Sequence, residues 1–363
     1  MHITNLEVKN FRNLKQTSLT LSNGLNVFCG KNAQGKTNLL ESIFISAIGK
    51  SPRVSKIKEC IMWDCDYSII KVTVQKKFRK SEIVYKISKE GKKTILINGV
   101  SIKSLSDLIG EINLIYFFPD DLKLIKEAPS DRRKFMDIDI SQASKFYFVN
   151  LTKYNNVLQE RNKLLKTSST LEEVKKSIYI WDNQLAEYAT NIIISRLRFL
   201  KKLSPLAKLA HFDLSGNKEE LEISYDGIQE ENPKLLKEEL LKLYQTNLEK
   251  DFAFGHTTIG PHKDDITITL NGKDLKLYGS QGQQRTASLA LKFAEIELFK
   301  NEFGEEPILL LDDVLSELDE NRRYKLIEKC NNLQSIITTT DWEYGTKNAQ
   351  IFSIEDGKIT KNT

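Results

Sequence analysis

Nowhere in the 363 residues do apolar side chains approach the run of roughly 18 that a membrane-spanning helix needs, so the sequence predicts no membrane segment. The opening Met1-His2-Ile3-Thr4 does not read as a signal peptide. Cysteine is scarce. Cys29, Cys60, Cys65 and Cys330 lack the paired spacing of zinc ligands, and a disulfide at Cys29 would be awkward inside an apolar run. A reducing cytoplasm fits best. The excess of one charge over the other is small too: 54 Lys and Arg against 49 Asp and Glu leave a net charge of +5. Such a balance excludes a histone-like field, and any contact with nucleic acid must come from a local patch. What remains is an ordinary balance, 28% charged and 40% hydrophobic, in a chain long enough for two domains or one with a large insertion.

The stretch Gly30-Lys31-Asn32-Ala33-Gln34-Gly35-Lys36-Thr37 follows the apolar run Leu25-Asn26-Val27-Phe28-Cys29 and opens a helical pattern at Asn38-Leu39-Leu40. This is the spacing and setting of a phosphate-binding loop. Two glycines let successive N–H groups converge on an anion, Lys36 reaches the β- and γ-phosphates, and the Thr37 hydroxyl can ligate magnesium. The expected ligand is a nucleoside triphosphate, ATP, with Mg2+.

Residues 3–11 alternate apolar and polar as a half-buried strand does. Residues 67–75, 83–87 and 94–97 are rich in Val, Ile and Tyr, and Asn98-Gly99 is a turn signal, so an antiparallel sheet is expected. Between 71 and 93 lie nine basic residues against Glu82 and Glu90. Two readings stand: a basic edge that tracks nucleic-acid phosphates, or a lysine-guarded edge strand that resists aggregation. Past Pro129 the pattern turns helical. Tyr147, Leu151, Tyr154, Leu158 and Leu165 form one stripe; Leu171, Val174, Ile178, Trp181, Leu185, Tyr188 and Ile192 form a second, as in a coiled-coil seam. With Thr167-Ser168-Ser169-Thr170 between them, an antiparallel helical hairpin follows, and another helix begins at Asn232-Pro233. The expected divisions are 1–120, a helical lobe over 121–250, and 251–363, where strand 266–270 resumes the first domain.

Pro307-Ile308-Leu309-Leu310-Leu311-Asp312-Asp313 reads as a buried strand delivering carboxylates to its exposed end. Asp312 beside Thr37 completes a magnesium site, and Asp313 is placed to orient or deprotonate an attacking water. Ser280-Gln281-Gly282-Gln283-Gln284-Arg285 leads into a helix and offers a second phosphate surface at its N-terminus.

The order of phosphate loop, Ser-x-Gly-Gln-Gln segment, Leu-Leu-Leu-Asp-Asp and Ser316-Glu317-Leu318-Asp319 resembles the ABC-type ATPases of chromosome maintenance and, within them, the RecF family. Further carriers are Asn10-Phe11-Arg12-Asn13, Phe118-Pro119-Asp120-Asp121-Leu122, Pro129-Ser130-Asp131-Arg132-Arg133 and Gly260-Pro261-His262-Lys263-Asp264-Asp265. The resemblance implies an α/β fold: an ABC-type P-loop ATPase head, a mixed sheet with an antiparallel subdomain, plus an inserted helical lobe too short for a long coiled-coil arm. It implies an ATP-dependent homodimer in which nucleotide on Lys36 of one protomer is covered by Ser280, Gly282 and Gln283 of the other. In that site Gly30 to Thr37 hold phosphates, Thr37 and Asp312 hold Mg2+, and Lys36, Asp312, Asp313 and Ser280 serve catalysis. Ser316 to Asp319 then communicate across the interface. By the same resemblance the dimer is a clamp on DNA, duplex, gapped or at single-strand/double-strand junctions, working with RecO and RecR to load RecA, and with no membrane partner.

This chain departs from the wider pattern at three places. Asp313 stands where a glutamate is common, which predicts slow turnover. Thr340 stands near the place of a switch histidine, and neither Gln75 nor Gln142 is a convincing lobe-junction glutamine. His262 is read as structural rather than metal-binding. Alternatives from other classes are a scaffold cemented by ATP with negligible hydrolysis, a transporter's cytoplasmic ATPase, and an ATPase-linked nuclease.

Overall fold

The structure, a computed structural model, describes residues 1–118, 121, 124–126, 128–343 and 349–362. In chain order the elements are β1 (His2–Phe11), β2 (Leu14–Thr20), β3 (Leu25–Cys29), α1 (Lys36–Ile48), β4 (Tyr67–Gln75), β5 (Lys80–Ser88), β6 (Lys93–Ile97), β7 (Val100–Ser101), α2 (Leu105–Leu108) and β8 (Leu114–Phe117). Then come α3 (Pro129–Ala143), α4 (Lys145–Thr167), α5 (Leu171–Lys175), α6 (Ile178–Leu214), β9 (Leu221–Asp226), α7 (Pro233–Thr246), α8 (Leu248–Phe254), β10 (Asp265–Leu270), β11 (Lys273–Asp274) and α9 (Leu275–Tyr278). The last are α10 (Gln281–Phe303), β12 (Ile308–Asp312), α11 (Glu320–Cys330), β13 (Ser335–Thr339), β14 (Gln350–Glu355) and β15 (Lys358–Lys361). Among the described residues no helix is long and apolar enough to cross a membrane. Pro119, Asp120 and Leu122 of the Phe118–Leu122 motif, and with them the expected 120/121 boundary, lie outside the described residues.

The chain divides into two compact units, residues 1–123 with 288–363, and residues 124–287. The first holds two six-stranded sheets. One is antiparallel in the order β2-β1-β4-β5-β6-β7. The other, β15-β14-β3-β13-β12-β8, is parallel except for β15. Its central strands read as continuous apolar runs because both faces are covered, and Ile308–Asp312 is buried throughout. Helix α1 packs against strands of both sheets and is buried on nearly every side. That explains why its sequence shows no polar stripe.

β4 and β5 are each hydrogen-bonded on both sides. Both edge readings of residues 71–93 are therefore corrected: this stretch runs through the sheet interior, and the sheet's edges are β2 and β7.

The second unit contains the helical hairpin, α4 against α6. The second apolar stripe is not one continuous helix. Ser177 interrupts it between α5 and α6, and the buried face of α6 runs through Ile178, Asp182, Leu185, Ala189 and Ile192, with Trp181 and Tyr188 half-buried beside it. Arg161 takes a seam position on α4, wholly buried, with ion pairs of 2.7 Å to Asp182 and Asp251. Burying a guanidinium requires such partners. At α7 the Asn232 side chain accepts from the backbone N–H groups of Lys234 and Leu235, with Pro233 at the first helical position.

The helical lobe was expected to end at 250, with strand 266–270 returning to the first domain. Instead β10 pairs with β9 and β11 in a three-stranded sheet, and residues through 287 pack with the second unit. The pairing partner β9 carries a plain alternation, Leu221, Ile223 and Tyr225 buried and the residues between them exposed.

Candidate functional site

The phosphate loop connects the end of β3 to the start of α1, so the N–H groups of the first helical turn converge on the loop's concavity. Gly30 has no substitute: a Cβ there would meet the Ile354 carbonyl oxygen at 2.4 Å. Gly35 sits at φ +111 with the Asn13 side chain 2.7 Å from where a Cβ would lie. Lys31, Asn32 and Ala33 are exposed, and Lys36 is buried with its Nζ donating to the Gly30 carbonyl at 2.7 Å, bridging the two ends of the loop.

Gln34, in the middle of the loop, is clasped from elsewhere in the chain. Its carbonyl accepts from Asn13 Nδ2 at 3.1 Å and from the Gly357 backbone N–H at 3.1 Å, and its Oε1 accepts from the Asp356 N–H at 2.5 Å. Asn38 on α1 donates to Asn13 Oδ1 at 2.9 Å. The loop is thus held in shape by contacts from elsewhere in the chain.

β12 and β13 pair in register, Asp312 opposite Thr338. Asp312 Oδ1 accepts from the Thr37 hydroxyl at 3.0 Å and the Thr338 hydroxyl at 2.9 Å, while Oδ2 accepts from the Tyr116 hydroxyl at 3.3 Å. Burial first, and then the charge of Asp312, push the Tyr116 phenol well above its ordinary value, so it stays a donor. Thr340, expected near the switch-histidine place, is exposed just past β13. The threonine that reaches the cluster is Thr338.

Asp313 differs from its neighbour in every respect. Its backbone is left-handed at φ 54, and its N–H donates to the Thr338 carbonyl and hydroxyl, each at 3.1 Å. Its Oδ1 is buried with no hydrogen-bond partner among the described residues. Burial, and then the charges of Asp312 and Glu317, raise its carboxyl above the usual range against the opposing pull of Lys36. A strained, orphaned carboxylate at the end of a central strand is placed to take a hydrogen bond from something that is not protein.

Among the described residues no cluster of three or more His, Cys, Asp or Glu could hold a metal ion. The donor set Thr37 Oγ1 and Asp312 Oδ1, two hard oxygens in mutual contact, suits Mg2+, which keeps several waters and takes one or two protein ligands beside phosphate oxygens.

Arg12, Glu41 and Arg53 were not expected as a group. Arg12 grips the fully buried Glu41 of α1 through Nε at 3.1 Å and Nη2 at 2.9 Å, and Arg53 and Ser51 add bonds of 3.3 and 2.6 Å. Burial alone would raise the Glu41 carboxyl, but the bonds from Arg12 and Ser51 and the charges of Arg12 and Arg53 outweigh it and hold the group below its ordinary value. The same burial, with Glu41 close by, pushes the Cys60 thiol up to about 12. Asn10-Phe11-Arg12-Asn13 was visible in the sequence as a motif. Its two tasks, Arg12 on α1 and Asn13 on the loop, were not.

Ser280, Gly282 and Gln283 belong to the second unit and form a separate arrangement at the start of α10. Gln283 N–H donates to Ser280 Oγ at 3.2 Å, and Ser280 N–H donates to Gln283 Oε1 at 2.9 Å, a reciprocal capping box. Gln283 Nε2 donates to Glu219 at 2.7 Å. Glu219 also meets the buried His211 at 3.1 Å. Ser280 itself is exposed, beside the exposed Leu277 and Tyr278. His262 holds no metal: its Nε2 donates to the Thr257 carbonyl at 3.0 Å, so its Nδ1 accepts from the Tyr154 hydroxyl at 2.6 Å.

The family model for the RecF/RecN/SMC N-terminal domain matches residues 2–361. A "DNA replication and repair protein RecF" from Clostridium tetani is 43% identical over 373 residues, covering 100% of both chains, and one from Clostridium novyi is 43% identical over 366 residues, covering 99% and 100%. A solved structure described as the recombination mediator protein RecF-ATPrS in the RecFOR pathway superposes with a TM-score of 0.92 at 38% identity, covering 100% of this chain and 98% of that one. An Smc head bound to the C-terminal winged-helix domain of ScpA shares the fold, with a TM-score of 0.59 at 18% identity and coverage of 100% and 98%. The chain belongs to the RecF/RecN/SMC family, and its fold is that of the ABC-type ATPase head.

Proposed function

We propose that this RecF-family chain is an ATP-dependent DNA-binding clamp of recombinational repair and replication restart, acting in the cytoplasm. The observation that carries the reading is the contact of Thr37 Oγ1 with Asp312 Oδ1 at 3.0 Å beside a preformed phosphate loop. Relatives named for DNA replication and repair, and a solved structure described as the recombination mediator protein RecF with ATP, support it.

In this reading Gly30 to Thr37 bind the triphosphate, Lys36 meets the β- and γ-phosphates, and Thr37 and Asp312 hold Mg2+. The ion, when bound, would draw negative charge from the phosphate oxygens and lower the barrier to their displacement. Asp313 orients the water that attacks the γ-phosphorus and takes its proton as the bond to the β–γ bridging oxygen breaks, leaving ADP and phosphate. Ser280, Gly282 and Gln283 of a second copy cover the nucleotide, so ATP closes a homodimer on duplex or gapped DNA and hydrolysis reopens it. RecO, RecR and RecA are the partners this role calls for. Asp313, one methylene shorter than the glutamate common at this place, holds the water less closely and so favours slow turnover, stimulated weakly by DNA.

The test is molecular mass by light scattering without nucleotide, with ATP, and with ATP plus gapped duplex, for wild type and Lys36→Ala. Expected is a wild-type monomer that dimerises only with ATP and then retains DNA, and a variant that does neither, with ATP affinity lowered at least about a hundredfold by loss of a charge-assisted phosphate contact. A mass indifferent to ATP, or a Lys36→Ala protein that dimerises normally, would sink the shared-site reading.

A further inference from the structure

The β4–β5 hairpin turns through Lys76-Lys77-Phe78-Arg79, closed by the Lys76 N–H to the Arg79 carbonyl at 2.8 Å. Its mounting is rigid. Glu111, largely buried, receives Lys76 Nζ at 3.3 Å, Arg79 Nη2 at 2.7 Å and Ser81 Oγ at 3.2 Å, and Lys76 Nζ also donates to the Gly110 carbonyl at 2.9 Å. At the tip, Phe78 is 89% exposed, with Lys77 Nζ 5.3 Å from its ring centroid. A single exposed aromatic is ordinary on a protein surface. One fixed at the apex of a braced hairpin, between cations, is a different arrangement.

Ion pairing over residues 71–93 is partial, and Lys86, Lys92 and Lys93, like the cations of this tip, have no side-chain ion pair among the described residues; what marks the tip is the exposed ring its cations flank. Lys71 is paired with Glu82 at 3.0 Å and Glu7 at 3.7 Å, Lys89 with Asp66 at 3.4 Å, and Lys76 and Arg79 with Glu111. The side-chain ammonium groups of Lys77 and Lys80 have no acidic partner within 4.0 Å among the described residues, while the Lys77 backbone N–H donates to Glu305 at 3.3 Å. Defence of a sheet edge does not account for them, because β4 and β5 are interior strands. A flexible cation at each side of a projecting ring matches a strand whose phosphates alternate with flat, stackable bases.

We propose that the 76–80 hairpin tip is a nucleic-acid contact for unpaired nucleotides at a single-strand/double-strand junction, with Phe78 stacking on an exposed base and Lys77 and Lys80 taking the flanking phosphates. The inference rests on the DNA-clamp reading above and says which part of a DNA substrate this surface meets.

The experiment uses the full chain with a slowly hydrolysed ATP analogue and three labelled DNAs: a duplex, a single strand, and a duplex with a single-stranded overhang. Binding is followed by fluorescence anisotropy, with thermal melting to verify folding. Phe78→Ala is expected to weaken overhang binding about tenfold, the loss of one stacked base, and duplex binding less than about twofold. Phe78→Trp keeps the affinity and shows quenched indole emission on binding. Lys77→Gln with Lys80→Gln lowers the slope of log affinity against log salt by about 1.4 on single strands. If wild type binds the overhang DNA and all three variants bind it equally, the inference fails and the clamp reading stands. If wild type binds none of the DNAs, both fail. Loss of a protein partner by Phe78→Ala with DNA binding intact would make the tip a protein contact and overturn the proposal.

Discussion

Two glycine-bearing helix starts, before α1 and before α10, are held in opposite ways. The loop before α1 is clasped from chain segments near both ends of the sequence, through Asn13, Asp356 and Gly357. The segment before α10 is held by its own capping box, by the bond that Gln283 donates to Glu219 and by the bond that Gln284 donates to the Leu275 carbonyl. The contrast teaches that the first start is fastened by distant parts of the chain, whereas the second is fastened largely by its own neighbours and leaves its serine exposed.

The most severe way to break this contrast is chemical. Asp313→Asn leaves the loop and its clasp intact, so ATP binding and the closed dimer should persist, while turnover falls on the order of a thousandfold if Asp313 handles the water. Unchanged phosphate release in that variant would place the function in another residue.

Acid sharpens the contrast between the two units. Burial, the largest cause, lowers the His262 imidazole to about 4, with the Thr257 carbonyl opposing and Lys263 and Arg133 assisting. Unfolded, the same ring takes a proton near 6.5, so as pH falls from 6.5 towards 4 the unfolded chain binds a proton that the folded chain refuses. Stability is lost over that window, by up to about 3 kcal/mol. Glu41 in the first unit behaves otherwise: its lowered value means that its contribution is present above 4.5 and is lost only as pH falls below that. Burial raises Asp182 and Asp264 in the second unit, and their protonation offsets part of the His262 loss. Denaturant midpoints of wild type and His262→Gln between pH 7 and 4 isolate the histidine: the variant should show the shallower acid dependence, and parallel curves would refute the assignment.

Ser280→Arg places a long cation at the exposed start of α10. Monomeric ATP binding should remain within about twofold, and ATP-dependent dimerisation should weaken at least about a hundredfold, as an unpaired charge in an interface requires. Sedimentation with and without ATP reads both.

The mildest change is at Glu219. Removing the acceptor by Glu219→Ala frees the Gln283 amide and should weaken ATP-dependent dimerisation about fivefold, the worth of one partly exposed bond. Glu219→Gln keeps a carbonyl acceptor and should stay within about twofold of wild type.

The phosphate loop and the Leu-Leu-Leu-Asp-Asp strand were legible because their chemistry is local: glycines, a lysine and a carboxylate fall at fixed spacings along one stretch. The strand expected at 67–75 matches β4, for its alternation and the following turns are equally local. What escaped was pairing across long distances. Thr338 reaches the cluster only because β13 lies in register with β12, Tyr116 because β8 pairs beside β12, and Asn13 because a hairpin turn reaches residue 34. The basic stretch was taken for an edge because strand order in a sheet leaves no trace in period-two alternation. The helical seam misled for a related reason: Arg161 and Asp182 occupy core positions that an apolar count passes over.

The clasp on Gln34 also has a meaning in time. Asp356 lies 322 residues after the glutamine it holds, and strands β13 and β14, which flank β3, are also made late. At synthesis rates of roughly 5–20 residues per second, the loop leaves the ribosome roughly 16–65 s before its fastening exists. A nascent chain therefore carries its glycine loop in an open form for most of its manufacture. In the proposed reading, nucleotide capture then waits on the making of the closing hairpin.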